Sequence, residues 1–159
     1  MLVLHHAGVA HRVHEYAHDP RSEVGFGMEA AAALGVDARR VFKTLVVRVD
    51  GKLVCAVVPA SGQLDPKALA SACGGKRAEL ADPHEAELAT GYVVGGISPL
   101  GQKRTSPTVL DESAQDHETI LVSGGRRGLS IEIAPADLAQ VTGATVADVV
   151  ARTRHGRGR

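Results

Sequence analysis

The sequence predicts an α+β fold built on a mixed β-sheet curled towards a barrel, and three observations carry that expectation. Residues 43–49 and 53–58 are apolar, β-branched runs on either side of Asp50-Gly51, the strongest hairpin signal in the chain. Asp65-Pro66 and Asp82-Pro83 each set a capping carboxylate before a proline at the first helical position, with Gly74 and Gly91 as stops. Hairpins therefore mix with single helices, which fits neither a regular βαβ array nor a pure sandwich. At 159 residues, with no internal repeat and no linker, the chain predicts a single domain.

The remaining elements follow in order. A short first helix ends at Gly8, and residues 9–16 alternate as a strand. Residues 28–34 are rich in alanine and stopped by Gly35, which predicts a helix. Beyond the two proline-started helices, Tyr92-Val93-Val94 reads as a strand entering a glycine loop. Residues 108–110, 119–122 and 129–133 predict short strands, the last two flanking the turn Ser123-Gly124-Gly125-Arg126-Arg127-Gly128. A helix from Pro135 and another capped by Thr145 close the fold. Only Tyr16, Phe26, Phe42 and Tyr92 are aromatic, so Val, Leu, Ile and Ala must fill the core.

Charge and composition exclude several classes. Net charge is zero and the isoelectric point is near 7.1, so any nucleic-acid contact must come from local patches. No apolar run is long enough to cross a bilayer, and the N-terminus lacks a signal-peptide pattern. Cys55 and Cys73 are isolated, outside any metal or redox spacing, and both read as structural thiols of a reduced, cytoplasmic protein. Arg152, Arg154, Arg157 and Arg159, interleaved with Gly156 and Gly158, predict a basic, disordered tail over 152–159 that suits RNA phosphates.

Two features stand out as chemistry. Gly95-Gly96-Ile97-Ser98-Pro99-Leu100-Gly101-Gln102-Lys103 predicts a tight, exposed loop whose backbone N–H groups suit a phosphate, a carboxylate or a developing oxyanion. Lys43 opens an apolar strand, where a partly desolvated ammonium holds an anionic or carbonyl group strongly; a lysine snorkelling on a rim is the competing reading. His14-Glu15-Tyr16-Ala17-His18 matches a zinc-hydrolase pattern, but that chemistry needs a helix. Here the segment reads as a strand followed by Asp19-Pro20. No Ser-His-Asp or Cys-His arrangement suggests a protein nucleophile.

Together, Val41-Phe42-Lys43-Thr44-Leu45, Pro59-Ala60-Ser61-Gly62-Gln63-Leu64-Asp65, the run from Thr90 to Lys103 and Val122-Ser123-Gly124-Gly125-Arg126-Arg127-Gly128-Leu129 resemble the YbaK branch of the prolyl-tRNA synthetase editing-domain superfamily. The resemblance runs from Tyr16 to about Val150 and implies an editing domain over 1–151, with a mixed, barrel-like sheet surrounded by helices. It implies a free-standing deacylase that cleaves the ester of Cys-tRNA(Pro), and of Cys-tRNA(Cys), at the tRNA 3′ acceptor end, with prolyl-tRNA synthetase as partner and no metal or cofactor. It also implies that the substrate's own thiol attacks its carbonyl, giving a cyclic thioester. Lys43 would hold the terminal nucleotide or ester, and amides near Gly95 and Gly96 would serve the oxyanion. Tyr16 and Phe26 would wall the pocket. Thr44, Ser123 and the loop residues Ile97, Ser98, Pro99 and Gly101 would contact substrate. Relatives usually carry an acidic residue where this chain has Ser130, and alternation puts Glu132 on the same face as a partial substitute. A tRNA-binding module that kept the fold and lost the chemistry is the alternative.

Overall fold

The structure is a computed structural model that describes residues 2–19 and 25–152. Along the chain run α1 (Leu2–Ala7), β1 (His11–Glu15), α2 (Phe26–Leu34), β2 (Phe42–Val49), β3 (Lys52–Pro59), α3 (Pro66–Ala72), β4 (Ala78–Leu80) and α4 (Pro83–Thr90). Then follow β5 (Thr108–Asp111), β6 (Ile120–Ser123), β7 (Leu129–Ile133), α5 (Pro135–Thr142) and β8 (Thr145–Ala147), with single 3-10 turns at Ala38–Arg40 and Glu112–Asp116.

The hairpin forms for the reason the sequence suggests. Asp50 and Gly51 take φ of 49° and 86°, the paired left-handed conformations that a tight primed turn requires. The Asp50 carboxylate also accepts from the Lys76 and Arg77 amides at 3.0 and 2.9 Å, tying the turn to the approach to β4. Asp65 and Asp82 cap α3 and α4 through their side chains, each with proline in the first turn.

Five strands in the order β4-β2-β3-β5-β8 make one sheet, and β1-β7-β6 make the other. β3–β5 and β5–β8 are parallel while the other pairs are antiparallel, so the larger sheet is mixed as predicted. A single parallel bridge between Val41 and Leu121 joins the two sheets edge to edge. The result is an open curl and not a closed barrel. Its inner face buries Phe42, Val57, Ile120, Val122, Ile131 and Ile133 with Leu4, Leu100, Leu110 and Leu138. On the outer face α3 packs Leu69 and Ala70 against Val47, Val54, Ala56 and Val58. There too α2 packs Ala30 and Ala31 against Val41 and Leu121.

Three expectations need correction, and one strand is unforeseen. Residues 145–147 are not a capped helix but β8, because Val109–Asp111 offers a parallel partner. β4 is a strand the sequence does not announce, three residues formed by pairing with Val47–Val49. Tyr92-Val93-Val94 is irregular: it finds no strand partner among the described residues, and Gly96 N–H closes a turn onto the Val93 carbonyl at 2.8 Å. The loop beyond is not exposed, since Gly96 to Leu100 are all buried. Among the described residues no helix is long and apolar enough to cross a membrane.

Candidate active site

Strand parity assembles the site. The parallel bridge sets Val41 beside Leu121, so two residues further on Lys43 and Ser123 come to the same outer face. Antiparallel register then places Ser130 of β7 opposite Ser123. Tyr16, just past β1, packs against Val41, Leu121 and the alanines of α2 on that face, and its N–H donates to the Gly128 carbonyl at 2.9 Å. Lys43, Tyr16, Ser123 and Ser130 thus share one surface although they come from four segments.

Lys43 is half-buried, and its Nζ donates to the Gly62 carbonyl at 2.9 Å. Burial pushes its pKa below the ordinary lysine value. The loop it touches is itself seated against α2 at Gly27, where any side chain would strike Ala60. Tyr16 is partly buried, and that burial raises its phenol pKa, with Glu29 adding and the nearby Gly128 amide and Arg127 opposing. Among the described residues three buried side-chain polar atoms lack a hydrogen-bond partner, and all three belong to predicted site residues: Tyr16 Oη, Thr44 Oγ1 and Ser130 Oγ. Each such orphan costs about 1–3 kcal/mol until something satisfies it. Thr44 lies on the inner face of β2 with Phe42 and Val46, so the structure does not place it beside Lys43.

The glycine loop and the β6–β7 turn are locked together. Ser123 Oγ donates to the Gly96 carbonyl at 2.9 Å and accepts from the Gly125 amide at 3.1 Å. Gly96 lies so close to the Arg126 backbone that a Cβ would stand 2.8 Å from Arg126 Cα. The Gly96 N–H is engaged with the Val93 carbonyl. The Gly95 amide donates to no group among the described residues and stays available. Ile97 packs inward against Val46, Cys55 and Ala86. Ser98 accepts from the Leu100 amide and from Gln102 Nε2, and Gly101 lies under the Tyr92 hydroxyl. Pro99 is buried beside them, so Ile97, Ser98 and Pro99 support the loop from within, while Gly101 is exposed at its far end. Phe26 opens α2, and its side chain lies outside the described residues, as do residues 153–159 of the predicted tail.

Glu132 does not stand in for an acidic residue at position 130. Its carboxylate is held by Thr119 Oγ1 at 2.5 Å, His14 Nε2 at 2.8 Å and Arg40 at 3.3 Å. Thr119 first, then His14 and Arg40, hold its pKa below the ordinary range against the effect of burial. His18 meets a different acid, with Nδ1 2.7 Å from Glu29. The two histidines of the zinc-like pattern are therefore separately engaged. Among the described residues no group of three His, Cys, Asp or Glu side chains could hold a metal ion. Cys55 is buried, contacts Gln102 and has its thiol pKa raised by burial, as an inert thiol should. Cys73 is exposed at the end of α3, not packed as expected.

One residue of this region went unrecognised from sequence. The Arg127 guanidinium lies directly over Gly95, whose φ is 95° and where an added Cβ would sit 2.5 Å from Nε. In the sequence Arg126-Arg127 is visible only as part of a glycine-rich turn; the contact of Arg127 with Gly95 is a matter of tertiary placement.

The profile of the aminoacyl-tRNA editing domain matches residues 27–141, which span α2, the hairpin, the glycine loop and both strands beneath Ser123 and Ser130. The chain belongs to the aminoacyl-tRNA editing domain family. It is 42% identical over 124 residues to EbsC of Enterococcus faecalis, named as a candidate Cys-tRNA(Pro)/Cys-tRNA(Cys) deacylase, covering 77% of this chain and 75% of that one. It is 30% identical over 104 residues to proline–tRNA ligase of Maridesulfovibrio salexigens, covering 63% of this chain but 17% of the ligase. A solved structure described as a candidate trans-editing enzyme for prolyl tRNA synthetase superposes with a TM-score of 0.79 at 27% identity, covering 89% of this chain and 87% of that one. The resemblance read from sequence and the α+β fold both hold. Aminoacyl-tRNA deacylation, a reaction of translation, is the enzyme class to which this editing domain belongs.

Proposed function

We propose that this chain is a free-standing, cytoplasmic deacylase that clears Cys-tRNA(Pro), and also Cys-tRNA(Cys), with prolyl-tRNA synthetase as its partner. One observation carries the reading. The outer face presents a half-buried lysine and two unpartnered buried hydroxyls, yet among the described residues it offers no activated nucleophile. Ser123 is already engaged with Gly96 and Gly125, Ser130 Oγ has no hydrogen-bond partner among the described residues, and Cys55 lies on the inner face. That leaves the substrate's own thiol or water, and the family resemblance supports the thiol. The cysteine sulfur forms a bond to its own ester carbon, the bond to the terminal ribose oxygen breaks, and the thiol proton passes to that leaving oxygen. Free tRNA and a cyclic thioester result. The Lys43 ammonium and the Gly95 amide serve the oxygen that gains charge, while Tyr16 and Ser130 hydrogen-bond the aminoacyl group.

The test is the rate of deacylation of Cys-tRNA against Ser-tRNA, whose side chains differ only in sulfur for oxygen. Thiols ionise near pH 8.5, far below alcohols, so Cys-tRNA is cleaved much faster if the substrate thiol attacks. Equal rates assign the attack to water. The absence of a free carboxylate at Ser130 favours a second reading, a tRNA-binding module without turnover. Failure to cleave any aminoacyl-tRNA in a full panel would establish it.

A further inference from the structure

The net charge of the chain is zero, yet four cations gather around the mouth of the glycine loop. Arg126 and Arg127 stand in the β6–β7 turn. Lys103 and Arg104 lie on a segment pinned to the end of α4, their amides donating to the Thr90 and Ala89 carbonyls at 2.9 and 3.0 Å. Tyr92 sits between the two groups: an added Cβ at Gly125 would meet its ring at 3.0 Å, and its hydroxyl donates to the Leu100 carbonyl. Elsewhere Arg39, Arg40, Arg48 and Arg152 are each paired with a carboxylate, while cations unpaired among the described residues, such as Lys52 and Lys67, stand apart from the loop on β3 and α3. Among the described residues Lys103, Arg104 and Arg127 form no ion pair, and Arg126 has only exposed Glu15 at 3.9 Å. The neighbouring acids are occupied, Glu87 by the Val94 amide and Glu29 by His18 and the Asp19 amide.

We infer that this basic rim binds the phosphates of the single-stranded RNA end, with Arg127 holding the phosphate nearest the scissile ester. The inference rests on the deacylase reading and adds the surface that reads the RNA. The terminal nucleotide carries the ester on its ribose and a phosphodiester on its 5′ side. A chain that holds the ester beside Lys43 and Gly95 therefore meets a phosphate one sugar away, where the Arg127 guanidinium lies across Gly95. A planar guanidinium in no ion pair among the described residues, with Glu29 acting on it only at longer range while bound to His18, suits two-pronged phosphate binding. Lys103, Arg104 and Arg126, exposed on either side of Tyr92, take phosphates further along the strand.

Binding of an uncharged RNA hairpin ending in an unpaired CCA, followed by fluorescence anisotropy across salt concentrations, tests this on the full chain. Arg127→Ala should weaken binding about tenfold. It should also reduce the slope of log affinity against log salt by about 0.7, as one lost phosphate contact on a single strand requires. Arg104→Ala should lower the slope similarly, Arg127→Lys should recover part of it, and Lys67→Ala on α3 should leave it unchanged. Unchanged affinity and slope in Arg127→Ala, with native circular dichroism, would overturn the inference; if that variant fails to fold, Arg127→Lys and Arg104→Ala decide it. In a second arm, Arg127→Ala and wild type should cleave 3′-cysteinyl-adenosine, which lacks the phosphate, at equal rates. An equal loss on both esters would place Arg127 on the reacting group instead. Hairpin binding that behaves as stated, with neither ester cleaved by wild type, would reject the deacylase reading while leaving the RNA surface standing.

Discussion

Gly96→Ala isolates the contact that locks the glycine loop to the β6–β7 turn. An added Cβ would stand 2.8 Å from Arg126 Cα, 3.1 Å from Arg126 C and 3.2 Å from Arg127 N. All three are backbone atoms, which cannot rotate aside, so the two segments must part. Overpacking of this kind costs about 1–3 kcal/mol. Parting also stretches the 2.9 Å bond from Ser123 Oγ to the Gly96 carbonyl, worth about 1 kcal/mol more. A total of about 2–4 kcal/mol corresponds to a fall in Tm of roughly 4–16 °C for a domain of this size. Thermal melting, with kcat/KM for Cys-tRNA measured alongside, reads both consequences. Ser123→Ala removes the same bond without the added methyl, together with the one accepted from the Gly125 amide, and should cost about 1–3 kcal/mol. The double variant should then be less destabilised than the sum, because the bond can be lost only once. A native Tm in Gly96→Ala, or strict additivity with Ser123→Ala, would show that the two loops are not coupled through this contact.

Three further outcomes are expected. Lys43→Ala should keep its circular dichroism and lose about 2–4 kcal/mol of transition-state stabilisation, roughly 30- to 900-fold in kcat/KM; near-native turnover would make Lys43 a rim lysine. Because burial lowers the Lys43 pKa, the wild-type rate should fall as pH rises through a value below 10.5, and Lys43→Arg should move that limb to higher pH. Ser130→Asp, which places a carboxylate at a fully buried position, should destabilise the free protein by more than a neutral buried orphan does, which is about 1–3 kcal/mol. It should lower KM for Cys-tRNA but not for the N-acetylated ester, and equal KM changes for the two would remove β7 from the aminoacyl site. Glu132 has a folded pKa depressed below its ordinary 4.5, so its contribution is full above that value and is lost as pH falls through the depressed one. Glu132→Gln should therefore be about 1–3 kcal/mol less stable near neutrality and converge with wild type in acid, as denaturant titration at several pH values will read; a constant difference would refute the assignment.

What the sequence revealed was whatever local chemistry alone decides. Asp50-Gly51 can only turn tightly, and Asp65-Pro66 and Asp82-Pro83 start helices whatever surrounds them. Val93 and Val94 misled because apolar β-branched residues usually signal a strand, yet here they are exposed, between the left-handed Gly91 and Gly95. Thr145 looked like a cap, but β5 supplied a partner, and pairing outweighed propensity. Lys43, Tyr16, Ser123 and Ser130 were named individually from the resemblance. That they share a face depends on the Val41–Leu121 bridge, a contact between residues 80 apart in sequence. Arg127 could not be separated from Arg126 without knowing which guanidinium crosses Gly95. The capture of Glu132 by Thr119, His14 and Arg40 joins four segments and leaves no local trace.

The orphan hydroxyls of Tyr16 and Ser130 have a consequence for lineages as well as for binding. Neither finds a side-chain partner among the described residues, so Ser130→Ala and, to a smaller degree because the Gly128 amide lies beside its oxygen, Tyr16→Phe should raise the melting temperature while weakening the hold on a polar aminoacyl group. Selection for stability alone would erase them. A descendant of this fold released from editing is then free to drift to phenylalanine and alanine at these positions, whereas one still at work must keep tolerating the loss. Across many genomes, a polar or acidic side chain kept at position 130 against alanine becomes a marker that sorts active editors from retired ones without an assay.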